Sequence, residues 1–291
     1  MRETAGEPLG RKVILAAMSD LSRQEALASQ LPTTAAADLA RRFGGVARLY
    51  GDAAVLRFAS AHVAVIGIGG VGSWAAEAIA RSGIGTITLV DIDHIAESNT
   101  NRQIHALGDA YGMAKVEAMG ARIRAINPAA RLNLVDEFVT TDNAAALLAR
   151  GFDVVIDSID QVQAKAALIT QCRAMRVPVF TCGAAGGRVD PTRIRTDDLA
   201  RVQGDPLLAK LRYRLRREHG FPAESASGRV RKFGVTAVYS DEPVRKPVAA
   251  CAADGAPHGL SCAGYGSSVT VTAPMGFAAA AVALATLQAT D

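Results

Sequence analysis

Short apolar runs alternate with longer stretches of helical period along most of this chain. Residues 62–66, 86–90, 131–138, 152–156 and 177–180 are aliphatic or β-branched and are bounded by Gly, Pro, Asn or Asp, which predicts strands. Between them, 74–82, 111–126, 140–150 and 161–176 carry helical patterns, the second stopped by Asn127-Pro128. Alternating units of these lengths predict an α/β, Rossmann-like, doubly wound, mostly parallel sheet, which takes its ligands at the carboxyl ends of the strands. Residues 233–239 read as one more strand.

The flanks have other patterns. Residues 1–32 are polar and mixed. Thr33 and Thr34 are placed to cap a helix through 38–43, Gly44-Gly45 should break it, and a further helical stretch runs to about Ser60. The resulting division is an extension over 1–40, a nucleotide-binding part over 41–190, and a C-terminal part over 191–291 that completes the same domain. Gly183 to Gly187 reads as a flexible turn, and 241–259 as a mobile loop. The run 269–287 holds no charge and could just span a bilayer. Its Thr270, Thr272, Pro274, Gly276 and many alanines favour a buried helix covering a sheet, with membrane association as the alternative.

Composition narrows the class. The 291 residues are 49% hydrophobic and 21% charged, enough for a large soluble core. The net charge of +4 permits a polyanionic partner without demanding one. The N-terminus shows no secretory signal pattern. Cys172, Cys182, Cys251 and Cys262 form no Cys-x-x-Cys, which argues against structural zinc and fits a reducing, cytoplasmic setting. The five histidines show no metal-ligand spacing. Residues 201–232 hold nine Lys or Arg against three acids, with Lys210, Arg212, Arg214, Arg216 and Arg217 clustered. A solvated helix face and a phosphate-backbone contact fit that stretch equally well.

Chemistry gathers at the strand ends. Gly67-Ile-Gly-Gly-Val-Gly72 sits between a strand and a helix, so Gly67, Gly69, Gly70 and Gly72 are candidate nucleotide-binding positions. Asp91, 19 positions after Gly72, ends the next strand in Asp91-Ile-Asp93, about where a carboxylate meets ribose. The following loop carries Asn99, Asn101 and Arg102, and the next helix carries Lys115. Asp160 closes another strand end, either as a magnesium carboxylate or as a helix N-cap. No His–Asp pair or Tyr-x-x-x-Lys suggests hydride transfer, and no Gly-x-x-x-x-Gly-Lys-Ser/Thr loop is present. Two cations with a lone carboxylate suit a magnesium–triphosphate better than a dinucleotide.

Taken together, the glycine turn, Asp91-Ile-Asp93, Ser98-Asn-Thr-Asn-Arg-Gln103, Lys115 and Asp157-Ser-Ile-Asp160 resemble the adenylating family of ubiquitin-, molybdopterin- and thiamine-sulfur-activating enzymes. That resemblance implies ATP and Mg²⁺, with Asp91 on ribose, Asn99, Arg102 and Lys115 on phosphates, and Asp160 on magnesium. It also implies a homodimer in which Arg48 reaches the partner subunit's ATP. Further stretches are similar to the branch that dehydrates threonylcarbamoyladenosine in tRNA: 42–51, 67–78, 99–107, 183–187, 205–211, Tyr239-Ser240, Cys262-Ala263 and the apolar C-terminus. For this branch the implied reaction is ATP-dependent cyclisation through an acyl-adenylate, with tRNA held by the basic stretch. It further implies a monovalent cation, no zinc, and Cys262 as a sulfur acceptor from a cysteine desulfurase, the alternative for Cys262 being a small buried residue. The rival readings are an adenylyltransferase for the C-terminus of a ubiquitin-like sulfur carrier, and a nicotinamide-binding or non-catalytic Rossmann module.

Overall fold

The computed structural model describes residues 38–224, 230–245 and 265–289; Cys251, Cys262 and most of the loop at 241–259 lie outside them. The chain divides into two compact units, Met1–Arg42 and Phe43–Asp291. In the first, only 38–42 are described.

Helix α1 (Leu39–Tyr50) runs straight through Gly44-Gly45, contrary to the expected break. Two interior glycines cost about 1 kcal/mol each. Phe43 offsets this by burial, its ring packed where a Cβ on Gly83 would lie 3.4 Å away. Gly51, at φ 86°, turns the chain into α2 (Asp52–Ser60). There follow β1 (His62–Ile66), α3 (Gly72–Arg81), β2 (Thr86–Val90), α4 (Lys115–Ile126), β3 (Arg131–Val135), α5 (Ala144–Leu148), β4 (Val154–Asp157), α6 (Val162–Met175) and β5 (Val179–Cys182). The chain closes with β6 (Ile194–Asp198), α7 (Pro206–Glu218), β7 (Thr236–Ser240) and α8 (Val269–Ala289).

The sheet order is β3-β2-β1-β4-β5-β7-β6, parallel except for β6 against β7. β1, β2, β4 and β5 are buried along nearly their whole length, which is why each reads as an unbroken apolar run. One core packs α2, α3, α4 and α8 against the sheet. The other packs α5, α6 and α7 against the opposite face. From β1 the chain winds outward to β2 and β3, then returns to β4 on the other side of β1. The crevice between the ends of β1 and β4 is therefore the switch point where such folds bind ligands.

Two further features differ from or sharpen the sequence expectation. β6, Ile-Arg-Thr-Asp-Asp, has no apolar run; it is an edge strand, where charged side chains discourage pairing with another chain. α8 is long and apolar enough to cross a membrane. Here it lies on the sheet beside α3, burying Val271, Met275, Ala279, Ala283 and Leu287 at helical spacing. Gly276 allows the close approach: a Cβ there would sit 2.5 Å from the Val71 carbonyl oxygen.

Candidate active site

The glycine turn is shaped by its neighbours. Gly67 has φ 86°, and a Cβ on it would lie 2.9 Å from the Ser158 carbonyl carbon and oxygen at the end of β4. A Cβ on Gly72 would overlap the Gly67 carbonyl oxygen. Gly69, by contrast, has nothing within 4 Å of its would-be Cβ among the described residues. Gly70 lies 3.2 Å, by the same measure, from the Arg102 side chain and from Thr272 of α8. Val71, the N-cap of α3, makes no side-chain capping bond. The helix's backbone donors and dipole thus favour an anion over an open stretch of turn.

Asp91, at the end of β2, joins this turn to the next element. Its carboxylate accepts hydrogen bonds from Ile68 N at 2.6 Å and Asp93 N at 2.9 Å. Burial raises its carboxyl above the usual carboxylate range, with Lys115 and those two N–H groups pulling it back. Lys115 opens α4 and is only 6% exposed. Its Nζ lies 2.6 Å from Asp93 Oδ2 and 3.9 Å from Asp91 Oδ1.

The loop after β2 brings Arg102 over the turn. Trp74 Nε1 donates to the Arg102 carbonyl at 2.9 Å, and Arg102 Nη1 donates to Ser98 O at 2.8 Å and to Asn101 Oδ1 at 3.0 Å. Asn101 ties this loop to α8: its amide donates to Ser267 O at 2.8 Å, and its carbonyl accepts from Val269 N at 3.1 Å. Asn99 is buried, its side-chain oxygen accepting from Ala96 N at 3.1 Å.

Asp160 stands at the mouth of the crevice, exposed. It does not cap α6, whose N-cap is Gln161, and among the described residues its carboxylate has no hydrogen-bond or ion-pair partner. The loop beneath it is fixed instead by Asp157, which accepts from Ile159 N at 3.1 Å and Thr181 Oγ1 at 2.7 Å and pairs with Lys165. Sequence reasoning missed Lys165. Its one signal is a lysine inside the otherwise apolar stretch Ala164-Lys-Ala-Ala-Leu-Ile169.

The turn at Gly183 to Gly187 is pinned rather than free. Gly183 N donates to Val238 O at 2.8 Å, Ala184 N to Asp205 Oδ2 at 3.0 Å, and Gly187 N to Gly266 O at 2.9 Å. Buried Arg188, also missed from sequence, holds the Ala184, Gly204 and Glu242 carbonyls together with the Asp205 carboxylate. Asp205 in turn caps α7 through Leu208 N at 2.9 Å.

The remaining candidates lie elsewhere. Arg48 is exposed on α1, its guanidinium 3.6 Å from where a Gly44 Cβ would be. Cys172 and Cys182 are buried, which pushes their thiols up to about 12 and about 11 and leaves them unreactive. On α7, Arg212 and Arg216 are half-buried, Arg214 pairs with Glu218 at 2.7 Å, and Lys210 and Arg217 are exposed. Among the described residues no group of three His, Cys, Asp or Glu could hold a metal. A cation at this crevice would therefore have to share Asp160 with ligand oxygens, as magnesium does with phosphates.

The chain that carries this arrangement is similar over most of its length to known proteins. Residues 44–291 match the ThiF family. The chain belongs to the ThiF family. Within it, the chain is 51% identical over 257 residues to the tRNA threonylcarbamoyladenosine dehydratase of Escherichia coli, covering 86% of this chain and 94% of that protein. It is 43% identical over 240 residues to the enzyme of the same name from Haemophilus influenzae, covering 81% of this chain and 89% of that one. The crystal structure of the Escherichia coli enzyme in complex with ATP superimposes with a TM-score of 0.78 at 48% identity, covering 88% of this chain and 98% of that chain. The ThiF match takes in the glycine turn, Asp91, Arg102, Lys115, Asp160 and Arg48.

Proposed function

We propose that this chain is an ATP-dependent tRNA threonylcarbamoyladenosine dehydratase. The observation that carries the reading is the likeness to the Escherichia coli enzyme over 94% of that protein's length. The open glycine turn beside Arg102 and Lys115 supports it. In the proposed scheme residues 41–190 bind ATP, 191–291 complete the same domain, and 1–40 form an extension.

ATP would lie across the glycine turn with its phosphates toward the start of α3. Asp91 and Asp93 would take the ribose side, and Asn99 and Asn101 would hold the loop that carries Arg102. The threonyl carboxylate of the modified adenosine attacks the α-phosphorus, and pyrophosphate leaves. Arg102 and Lys115 neutralise the charge that grows on the phosphates; Lys115 exchanges its 2.6 Å contact with Asp93 for a phosphate oxygen. The exposed carboxylate of Asp160, without a partner among the described residues, fits a magnesium ion, which would supply further charge neutralisation. The modification's own carbamoyl group then closes on the activated carbonyl and expels AMP. Both reacting groups belong to one nucleoside, so the held geometry replaces a second substrate.

The same reading includes a homodimer in which Arg48 reaches the partner subunit's ATP, a cytoplasmic location, a monovalent cation and a sulfur relay through Cys262. Incubation with modified tRNA and Mg-ATP, followed by nucleoside mass analysis, tests the core activity. Loss of one water from the modified nucleoside is expected. An unchanged nucleoside, together with adenylation of a peptide ending in Gly-Gly, would instead make the chain a sulfur-carrier activator.

A further inference from the structure

We infer that the solvent face of α7 is an RNA-binding strip centred on Tyr213, and that only part of the basic run around it touches RNA. α7 is amphipathic, with Leu207, Leu208, Leu211 and Leu215 buried. Its outer face carries Lys210, Tyr213, Arg214 and Arg217, spaced three, four and seven positions from Lys210 and therefore stacked along one side of the helix. Arg212 and Arg216 lie off this face. Arg216 donates to the Pro222 carbonyl at 3.3 Å and to Glu224 at 2.8 Å, and its guanidinium lies 5.5 Å from the Phe233 ring centre. Arg212 is half-buried, and desolvation with Arg216 alongside lowers its guanidinium pKa. Of the five clustered cations, Arg212 and Arg216 each bury a guanidinium nitrogen, Lys210 and Arg217 are exposed, and Arg214, half-buried and paired with Glu218, flanks the strip.

Tyr213 gives the strip its character. It is 63% exposed, and the Arg217 guanidinium sits 5.9 Å from its ring centre while Nη1 donates to its hydroxyl at 3.1 Å. The contact holds the ring without burying it. An aromatic ring interleaved with cations is the chemistry that grips single-stranded RNA: phosphates meet the cations and an unstacked base meets the ring. Exposed Arg231 and Lys232 continue the charge, next to Phe233, on which Arg216 rests. The acids nearby, Glu218 and Glu224, are already paired with Arg214 and Arg216. An anticodon loop, which presents both phosphates and unstacked bases, complements this face; the inference rests on the reading of the chain as an enzyme of tRNA.

The test is fluorescence-anisotropy binding of the full chain to a tRNA carrying threonylcarbamoyladenosine, over a series of salt concentrations, with ATP affinity measured alongside. Tyr213→Ala should weaken RNA binding about tenfold, while Tyr213→Trp keeps it. The triple variant Lys210→Gln, Arg214→Gln, Arg217→Gln should flatten the slope of log affinity against log salt by about two. ATP affinity should hold in all of these. Arg216→Ala should lower the melting temperature and leave the salt slope in place. Full RNA affinity in Tyr213→Ala, or an unchanged slope in the triple variant, would overturn the strip while leaving the proposed activity standing. A wild-type chain that neither binds nor dehydrates the tRNA would overturn both.

Discussion

Lys165 Nζ lies 3.0 Å from Asp157 Oδ2, and both side chains are shut off from solvent at the end of β4. The same lysine donates to the Asp157 carbonyl at 3.3 Å, so it grips both the side chain and the backbone of the residue where the crevice loop begins. Removing one partner strands a buried charge, and a loss of about 3–5 kcal/mol is expected for Lys165→Met. Replacing both, as Lys165→Met with Asp157→Asn, should recover most of that loss. Urea denaturation of the two variants checks this; a single variant as stable as wild type would show that the pair contributes little.

The glycine turn separates two kinds of requirement. A Cβ on Gly72 collides with backbone, which cannot yield, whereas a Cβ on Gly69 meets nothing among the described residues. Gly72→Ala should therefore lower the melting temperature and abolish ATP binding together. Gly69→Ala should melt like wild type but bind ATP more weakly, because the added methyl enters the space left for phosphate. Differential scanning fluorimetry with and without ATP separates the cases. Unchanged ATP affinity in Gly69→Ala would move the phosphates away from this turn.

Much of this site was legible because its elements are buried and regular. The strands β1, β2, β4 and β5 announce themselves as apolar runs, and the positions between and after them fixed the glycine turn, Asp91 and the crevice loop. What escaped notice depends on partners distant in sequence. β6 is polar because it is an edge, Lys165 resembles a surface lysine until its buried pairing with Asp157 of β4 is seen, and Arg188 finds its carbonyls up to 54 positions away. Gly44-Gly45 misled in the opposite direction: local propensity favours a break, but the packing of Phe43 keeps the helix whole.

His105 predicts an acid-sensitive fold. It is 4% exposed, neither ring nitrogen has a hydrogen-bond partner among the described residues, and burial, with Lys115 and Arg122 nearby, lowers its pKa to about 4. A folded-state value below the unfolded 6.5 means the neutral ring favours folding above that pH. This contribution is lost progressively as pH falls from about 6.5 toward about 4. The loss should reach about 3 kcal/mol. His105→Gln, which cannot titrate, should flatten the unfolding free energy across that window. A wild-type curve already flat there would mean His105 reaches solvent or a partner when protonated.

Arg48 supplies the test of assembly. It projects from α1, exposed, while Arg102 is anchored over the glycine turn by Trp74 and Ser98. If each site combines its own Arg102 with the partner subunit's Arg48, then Arg48→Ala and Arg102→Ala homodimers should both be inactive, with folds intact. Mixing them and allowing exchange forms hybrids in which one site has both arginines and the other has neither. Half the dimers are hybrids at equal mixing, and half of each hybrid's sites are whole, so about a quarter of wild-type activity should return. The assay is ATP–pyrophosphate exchange or nucleoside dehydration, before and after mixing. Loss in both parents with no return on mixing would place Arg48 in its own subunit's site, and full activity in the Arg48→Ala parent would remove it from the chemistry altogether.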